Sequence, residues 1–332
     1  MLKSVITVWL AAGVIGAAAA PAAAQRTGKD KLQVVVSILP QAYFLERVGG
    51  EHVAVEVLVG AGQSPHTYEP TPKQLAALSA ARVYFRIGID FEVALVPRLE
   101  STFKNLKIID TRAGVPLRKL TAEEDAADQH DEHGPGKHDE HGAGEHGRAR
   151  ATGQPDPHIW LNPLYVKTQA RTICDALAEL DPPHADDYRR NLAAFHADLD
   201  RVHAKLAAAL APLKGREIFV FHPAFGYFTD AYGLKQAPVE IEGKEPTAKQ
   251  LAALIERAKA ARVRVIFVQP QFSEKAAQAI AEAIGGAVVP MDDLPRDYLK
   301  NLEDMAEKIR TALKQKGERE GEREGEAPAE PR

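Results

Sequence analysis

Short runs rich in β-branched residues alternate along this chain with stretches of helical periodicity. The runs of strand length lie at residues 33–38, 53–59, 83–87, 106–109, 217–221, 264–268 and 287–289. Helical periodicity marks residues 71–80, 247–261, 273–284 and 296–314. Such alternation is typical of a parallel sheet with helices on its faces. We therefore expect an α/β fold, with one series of strands and helices in each half of the chain.

The chain has 332 residues, whereas single hydrophobic cores stop growing near about 250–300 residues. Two lobes are therefore expected, at residues 25–180 and 214–315, each with a central, mostly parallel sheet. Between them, residues 181–213 carry apolar side chains three or four positions apart, at Leu192, Phe195, Leu199, Val202, Leu206 and Leu210. This spacing predicts one rigid helix of about 30 residues, or roughly 45 Å, that joins the lobes and opposes large closure between them.

The two ends of the chain differ from the rest in composition. Residues 1–24 combine a basic start, an apolar run and an Ala-x-Ala pattern before Gln25, which predicts a cleaved signal peptide and export to the periplasm of a Gram-negative bacterium. An uncleaved membrane anchor is the alternative, but the apolar run is short for a span of about 20 residues. At the other end, residues 316–332 are rich in Gly, Glu and Arg and are expected to form a disordered tail.

Composition excludes several classes of function. With 42 basic and 46 acidic side chains, the chain lacks the basic excess typical of nucleic-acid binding. Its single cysteine, Cys174, cannot form an internal disulfide or a cysteine-cluster metal site. The sequence contains no Gly-x-x-x-x-Gly-Lys-Ser/Thr, His-Glu-x-x-His or Gly-x-Ser-x-Gly motif. Any metal must therefore be held by nitrogen and oxygen. We also expect that the protein is a monomer and not an enzyme.

Three of the twelve histidines stand in turn-rich segments beside prolines. His66 follows the second predicted strand, His158 lies in Asp-Pro-His, and His222 ends the 217–221 strand. Ligands of open α/β sheets bind beyond the carboxyl ends of strands, where two of these three histidines lie. Three neutral imidazoles suit zinc and leave a fourth position for a carboxylate or water. The spacing does not establish that the three converge.

Residues 123–150 contain nine acidic residues, three basic residues, five glycines and five histidines, but no aromatic or branched aliphatic residue. Such a segment cannot bury enough apolar surface to fold, so a mobile insertion is expected. Its histidines are His130, His133, His138, His141 and His146. Their spacing among carboxylates predicts weak, exchangeable metal sites, although a solubilising loop that binds metal incidentally is the alternative.

Four motifs occur in order along the chain: Ser64 to Pro72 (SPHTYEPTP), Asp156 to Pro163 (DPHIWLNP), Phe221 to Gly226 (FHPAFG) and Val239 to Pro246 (VEIEGKEP). Together with the histidine-rich insertion between the first two, they resemble the periplasmic zinc-binding proteins of the ZnuA type, which feed ABC importers. The resemblance extends from about residue 32 to 313. It implies two α/β lobes joined by a long rigid helix, with the metal in the cleft between them.

The resemblance also implies the ligands. His66, His158 and His222 match the histidine ligands, and a histidine at 222, where manganese-selective relatives carry glutamate, favours Zn²⁺. The stretch Val289 to Leu294 resembles the segment that often supplies an aspartate, which makes Asp292 the candidate fourth ligand. Asp293 stands where proline is usual, and a water or Glu69 remain alternatives. Tyr68, Trp160 and Phe225 are either a dry wall beside the metal or ordinary core residues.

These observations favour a periplasmic receptor that captures Zn²⁺ and delivers it to the membrane permease of an ABC transporter. A zinc-dependent hydrolase remains an alternative, because three histidines and an open position also describe catalytic zinc. A metal-sequestering buffer or adhesin acting through the insertion is a third. Because imidazole must be unprotonated to bind, zinc affinity is expected to fall as pH drops through about 6.5.

Overall fold

The computed structural model describes residues 31–121, 155–239, 252, 255, 256, 258–260, 263–272 and 274–324, without the side chains of residues 274, 276 and 315–324. The predicted signal peptide, the insertion at 123–150 with its five histidines, and most of the 239–246 motif lie outside these residues.

Eight strands and eight α-helices occur in this part of the chain. In order they are β1 (Leu32–Ile38), α1 (Leu39–Gly49), β2 (Val53–Val59), α2 (Pro72–Ala80), β3 (Val83–Arg86), α3 (Asp90–Thr102), β4 (Lys107–Asp110), α4 (Pro163–Leu180), α5 (Ala185–Leu210), β5 (Glu217–Val220), α6 (Gly226–Tyr232), β6 (Lys235–Pro238), β7 (Val265–Val268), α7 (Glu274–Ala283), β8 (Ala287–Pro290) and α8 (Tyr298–Glu324).

The N-terminal lobe is built on a four-stranded parallel sheet with the order β2-β1-β3-β4. Val34 of the inner strand β1 lies opposite Val55 on one side and Val83 on the other. Residues 34–38 are all buried, as expected for a parallel strand with helices on both faces of its sheet. The predicted parallel α/β architecture is therefore confirmed in this lobe.

The C-terminal lobe repeats the arrangement, with four parallel strands in the order β6-β5-β7-β8. Strand β6 was absent from the sequence prediction, because its residues Lys-Gln-Ala-Pro have no β-branched or aromatic member. It pairs with β5 at the edge of the sheet, and its last residue is Pro238, a position that tolerates proline. Residues 252, 255, 256 and 258–260 are helical, within the helix predicted at 247–261.

A long helix joins the lobes, as predicted. Helix α5 has 26 residues and spans about 39 Å. It is shorter than the predicted segment because turns of 3₁₀ helix at Pro182–His184 and Ala211–Leu213 occupy the two ends. Its buried side chains recur every three or four residues and face the core: Tyr188, Phe195, Leu199, Val202, Leu206 and Leu210.

Helix α8 ties the C-terminal part of the chain to the N-terminal lobe. Tyr298, its first residue, packs edge-on against Phe44 of α1 with ring centroids 4.9 Å apart. The Tyr298 hydroxyl donates to the Trp160 carbonyl at 2.6 Å. One hydrophobic core therefore continues from the first sheet through α5 to Ile309 of α8, and a second, smaller core lies within the C-terminal lobe. Helix α8 runs to Glu324, past residue 316 where we expected the charged tail to begin.

Candidate metal centre

Three loops bring the three predicted histidines together in the cleft between the lobes. His66 lies in a 3₁₀ turn, Pro65–Thr67, six residues after β2, and the Ser64 side chain accepts from the His66 backbone N–H. His158 directly precedes the 3₁₀ turn Ile159–Leu161. His222 lies two residues after β5. The loops after β2 and β5 leave the carboxyl ends of parallel strands, where α/β folds bind their ligands.

The geometry of the three imidazoles suits a single small cation. One possible ligand atom from each ring lies within 4.8 Å of the other two. The Nε2 atoms of His66 and His222 are 3.2 Å apart. Two nitrogens bound tetrahedrally to zinc at about 2.0–2.1 Å would be about 3.3 Å apart. Among the described residues this is the one group of His, Cys, Asp and Glu side chains with such spacing.

Carboxylates orient two of the three rings. The Nδ1 atom of His158 lies 2.8 Å from Oδ1 of Asp156, which also accepts from the His158 backbone N–H at 2.9 Å. The Nδ1 atom of His66 lies 3.3 Å from Oδ2 of Asp90. A carboxylate at Nδ1 favours the tautomer that is protonated there and leaves the Nε2 lone pair for a metal.

His222 is positioned through its backbone and its ring face. Its N–H donates to Gln269 Oε1 at 3.4 Å, and Gln269 Nε2 donates to its carbonyl at 3.0 Å. Its ring stacks on Phe272, with centroids 5.1 Å apart and planes 25° apart. The rigid β5 strand and this pair of hydrogen bonds therefore fix the His222 side of the site.

The environment keeps His66 in the neutral form that a cation requires. Burial, with the nearby His222 and His158, lowers the pKa of His66 to about 4, although Asp90 opposes the shift. Burial acts to raise the pKa of Asp156, but the hydrogen bonds and charge of His158 and the charge of Arg118 outweigh it, so this pKa lies below its usual value. His66 is therefore neutral, and Asp156 ionised, near pH 7.

Among the described residues, the carboxylate that lines this cavity belongs to Asp293, one residue after the predicted Asp292. The Asp292 carboxylate is engaged elsewhere: its Oδ1 accepts from Gln271 Nε2 at 3.1 Å and from the Leu294 N–H at 2.9 Å. Asp293 is 6% exposed, and burial raises its pKa to about 7, with Asp292 acting in the same direction and His158 opposing. Glu69 is exposed and does not line the cavity.

The cavity is small. Its volume is about 20 Å³ and its walls are formed by Ser64, Pro65, His66, Ile89, His158, Trp160, His222, Gln271, Phe272, Asp293 and Leu294. This volume holds about one water or ion. Of the three aromatic residues considered from sequence, Trp160 lines the cavity, whereas Tyr68 packs on Phe91 and Phe225 is buried in the core.

Sequence reasoning missed the residues that support the ligands. Asp156 was detectable, because an aspartate two residues before a histidine is placed to bind that histidine's backbone and ring. Asp90, Gln269 and Phe272 carried no local signal. The remaining described histidines pack elsewhere. His196 Nε2 lies 3.1 Å from the Lys167 carbonyl, and His203 Nδ1 lies 3.2 Å from the Tyr232 hydroxyl.

Two rigid α/β lobes with a buried, histidine-lined and ion-sized site between them define a metal-specific substrate-binding protein. The profile of the family described as "ZnuA: Zinc-uptake complex component A periplasmic" matches residues 34–312. The chain belongs to this family, which confirms the resemblance inferred from its motifs. Proteins of this family are extracytoplasmic zinc-binding receptors of uptake systems and are not enzymes.

Individual relatives agree with this assignment. The chain is 31% identical to a "Putative metal-binding protein" of Treponema pallidum over 79% of each chain. It is 27% identical to the "High-affinity zinc uptake system protein ZnuA" of Bacillus subtilis over 80% of this chain and 79% of that protein. Zinc is thus the ligand of the family, and the chain is a zinc-binding receptor of this type.

Solved structures agree as well. A crystal structure of ZnuA superposes with a TM-score of 0.73 at 43% identity and covers 85% of this chain and 99% of that one. A ZnuA variant lacking residues 138–173 of its own numbering, with zinc bound, gives a TM-score of 0.72 at 42% identity over 85% and 98% of the two chains. No helix within the described ranges combines the length and apolar character that crossing a membrane requires.

Proposed function

We propose that this protein captures one Zn²⁺ through the Nε2 atoms of His66, His158 and His222 and delivers it to the membrane permease of an ABC importer. The observation that carries the proposal is the convergence of three imidazoles, each with one possible ligand atom within 4.8 Å of the other two. The Nε2 atoms of His66 and His222 are 3.2 Å apart, close to the separation of two nitrogens bound to tetrahedral zinc. Imidazole also favours zinc over manganese, which prefers oxygen ligands.

The fourth position is open to Asp293 or to a water. Asp293 is the carboxylate that lines the cavity, and its raised pKa means that zinc binding there would displace a proton. The small cavity disfavours a hydrolase, because an organic substrate would not fit beside the metal. Three nitrogens and one oxygen around the ion complete a tetrahedral site.

The place of action follows from the rest of the chain. We propose that residues 1–24 direct the protein to the periplasm of a Gram-negative bacterium and are then removed, leaving a monomer without a membrane anchor. The insertion at 123–150 supplies weak, exchangeable zinc sites through its five histidines. Because one core joins the lobes, zinc enters and leaves by movement of loops and not by closure of the lobes.

A competitive titration against a chelator of known affinity tests the metal site. The mature protein should bind one tight equivalent of zinc, and His66→Ala, His158→Ala and His222→Ala should each weaken it at least about 100-fold, since losing a ligand exceeds the 10–100-fold effect of losing an orienting partner. His196→Ala, which removes a histidine of α5 outside the site, is the matched control and should leave the affinity unchanged.

Removal of residues 123–150 distinguishes a receptor from a metal buffer that acts through the insertion. Lys119 and Pro155 pair as an antiparallel bridge, so a short connection can close the gap. The shortened protein should keep the tight equivalent and lose only weak binding. If tight binding disappears with the insertion and is indifferent to the three histidine substitutions, the proposal is wrong. Zinc uptake by cells that carry only the His158→Ala form tests delivery, and undiminished uptake would contradict it.

A further inference from the structure

Arg118 connects the two lobes directly beside the metal centre. It immediately precedes the Lys119 and Pro155 bridge, and its carbonyl accepts from the Asp156 N–H at 3.0 Å. Its side chain is 18% exposed. Nothing in the sequence marked this arginine, since it lies 38 residues before Asp156 and 109 before Tyr227, the residues that surround it.

On one side, the Arg118 guanidinium completes the hydrogen bonding of Asp156. Nη1 of Arg118 donates to Asp156 Oδ2 at 2.7 Å, while Asp156 Oδ1 accepts from the His158 backbone N–H and lies 2.8 Å from Nδ1 of the His158 ring. The Asp156 side chain is fully buried. A buried carboxylate is destabilised when it loses a charged partner, so without Arg118 its position and its hydrogen bond to His158 would no longer be fixed.

On the other side, the guanidinium rests on the segment that follows His222. Nε of Arg118 lies 3.1 Å from Oδ2 of Asp230 on α6. The Tyr227 hydroxyl accepts from the Arg118 backbone N–H and donates to the Asp156 carbonyl, both at 3.0 Å. Thus one residue of the N-terminal lobe contacts both the orienting partner of His158 and the helix that begins four residues after His222.

Gly226 provides the space for this contact. A Cβ atom at this position would lie 1.8 Å from Arg118 Nη1 and 2.9 Å from Asp156 Oδ2. Real Cβ contacts of this kind do not occur, so any larger residue at 226 would displace the guanidinium. The absence of a side chain at the start of α6 therefore serves the ion pair between Arg118 and Asp156.

We propose that Arg118 is a positioning residue of the metal centre. It acts through Asp156 to hold His158 in the tautomer protonated at Nδ1, and through α6 to fix the position of His158 relative to His222. The proposal rests on the proposed function for its zinc readout. Its tautomer readout needs no metal.

The test combines two measurements on the full mature chain. Selective ¹⁵N labelling of histidine reports the tautomer of His158 in the metal-free protein at pH 8, with the signal assigned from a His158→Gln variant. Competitive titration reports zinc affinity. Arg118→Met removes the guanidinium and keeps its bulk, and Gly226→Ala displaces it. Arg47→Met is the matched control, because Arg47 makes a partly buried ion pair with Asp198 between α1 and α5, away from the site.

Wild-type protein should show His158 protonated at Nδ1. Arg118→Met and Gly226→Ala should each give mixed tautomers and a 10- to 100-fold loss of zinc affinity, in line with other substitutions of residues that orient metal ligands. Arg118→Lys, which keeps a positive charge, should retain more of the wild-type tautomer and of the zinc affinity than Arg118→Met does. Arg47→Met should change neither readout.

Retention of the wild-type tautomer in Arg118→Met or Gly226→Ala would overturn the proposal, even with weaker zinc binding, because Arg118 would then act only on the fold. Zinc affinity within twofold of wild type would overturn it as well. If Arg118→Met fails to fold, Gly226→Ala and Arg118→Lys provide the same comparison. If the wild-type protein itself lacks a tight zinc site, the proposed function fails, and the metal-free tautomer measurement still decides the role of Arg118.

Discussion

Replacing Asp293 by asparagine should stabilise the metal-free protein, and more strongly as pH rises. Burial raises the pKa of Asp293 from 3.8 to about 7. Between these values the folded chain holds a proton that the unfolded chain releases, so stability is lost as pH rises from about 4 to 7. The loss levels off above pH 7 at roughly 4 kcal/mol, at 1.36 kcal/mol for each pKa unit. At pH 5 the same linkage gives roughly 1.5 kcal/mol.

Asparagine has nearly the same shape and no charge, so Asp293→Asn should remove this loss. Compared with wild type, the variant should gain about 2.5 kcal/mol more at pH 8 than at pH 5. Urea unfolding of both proteins in EDTA at pH 5, 6, 7 and 8 measures the difference. His66 titrates in both proteins, so its contribution largely cancels. A stability difference that is the same at pH 5 and pH 8 would refute the reasoning.

The same variant tests whether Asp293 binds the metal. If Asp293 supplies the fourth ligand, Asp293→Asn should weaken zinc binding while it stabilises the empty protein, a conflict between stability and function that is common at binding sites. Asp292→Asn is the control, because Asp292 is not among the residues that line the cavity and its carboxylate accepts from Gln271 and from the Leu294 N–H. Equal zinc affinity of Asp293→Asn and wild type would assign the fourth position to water.

Three further outcomes are expected. Folding lowers the pKa of His66 from 6.5 to about 4, so its contribution to stability is complete above about pH 6.5 and is lost as pH falls towards 4. His66→Gln should remove this loss, which is roughly 3 kcal/mol at most. A difference in unfolding free energy between variant and wild type that does not change with pH would contradict this. Leu199→Ala on α5, where Leu199 is fully buried, should cost about 2–5 kcal/mol in urea unfolding because it leaves a cavity in the shared core, and a cost below about 1 kcal/mol would argue against continuous packing across the lobes. Zinc at 100 times its Kd should stabilise the protein by about 2.7 kcal/mol, and the effect should disappear in His158→Ala when both are followed by thermal unfolding.

Local sequence determined the elements of this fold wherever side-chain pattern and backbone preference agree. The β-branched runs at residues 34–38 and 265–268 became inner strands, because such residues fit a sheet buried on both faces. The apolar stripe of α5 predicted the helix that joins the lobes, since one face of a helix must find a core. The same local pattern does not predict β6. Its residues have no strand preference, and it is a strand because it pairs with β5.

The metal centre was foreseen only in part. The sequence motifs and their resemblance to a known family named His66, His158 and His222, but the 3.2 Å between the Nε2 atoms of His66 and His222 joins residues 156 positions apart. Such a distance is set by the packing of two lobes, which no local preference encodes. The choice between Asp292 and Asp293 likewise depends on the turn that directs one carboxylate to Gln271 and the other to the cavity.

Arg118 shows the same division most clearly. Nothing in its local sequence marks it, yet the fold places its guanidinium between Asp156 and the start of α6. Sequence by itself therefore determined which segments become strands and helices and which histidines are available. Only tertiary structure decided which side chains meet, because contacts between distant residues arise when whole elements pack and exclude water together.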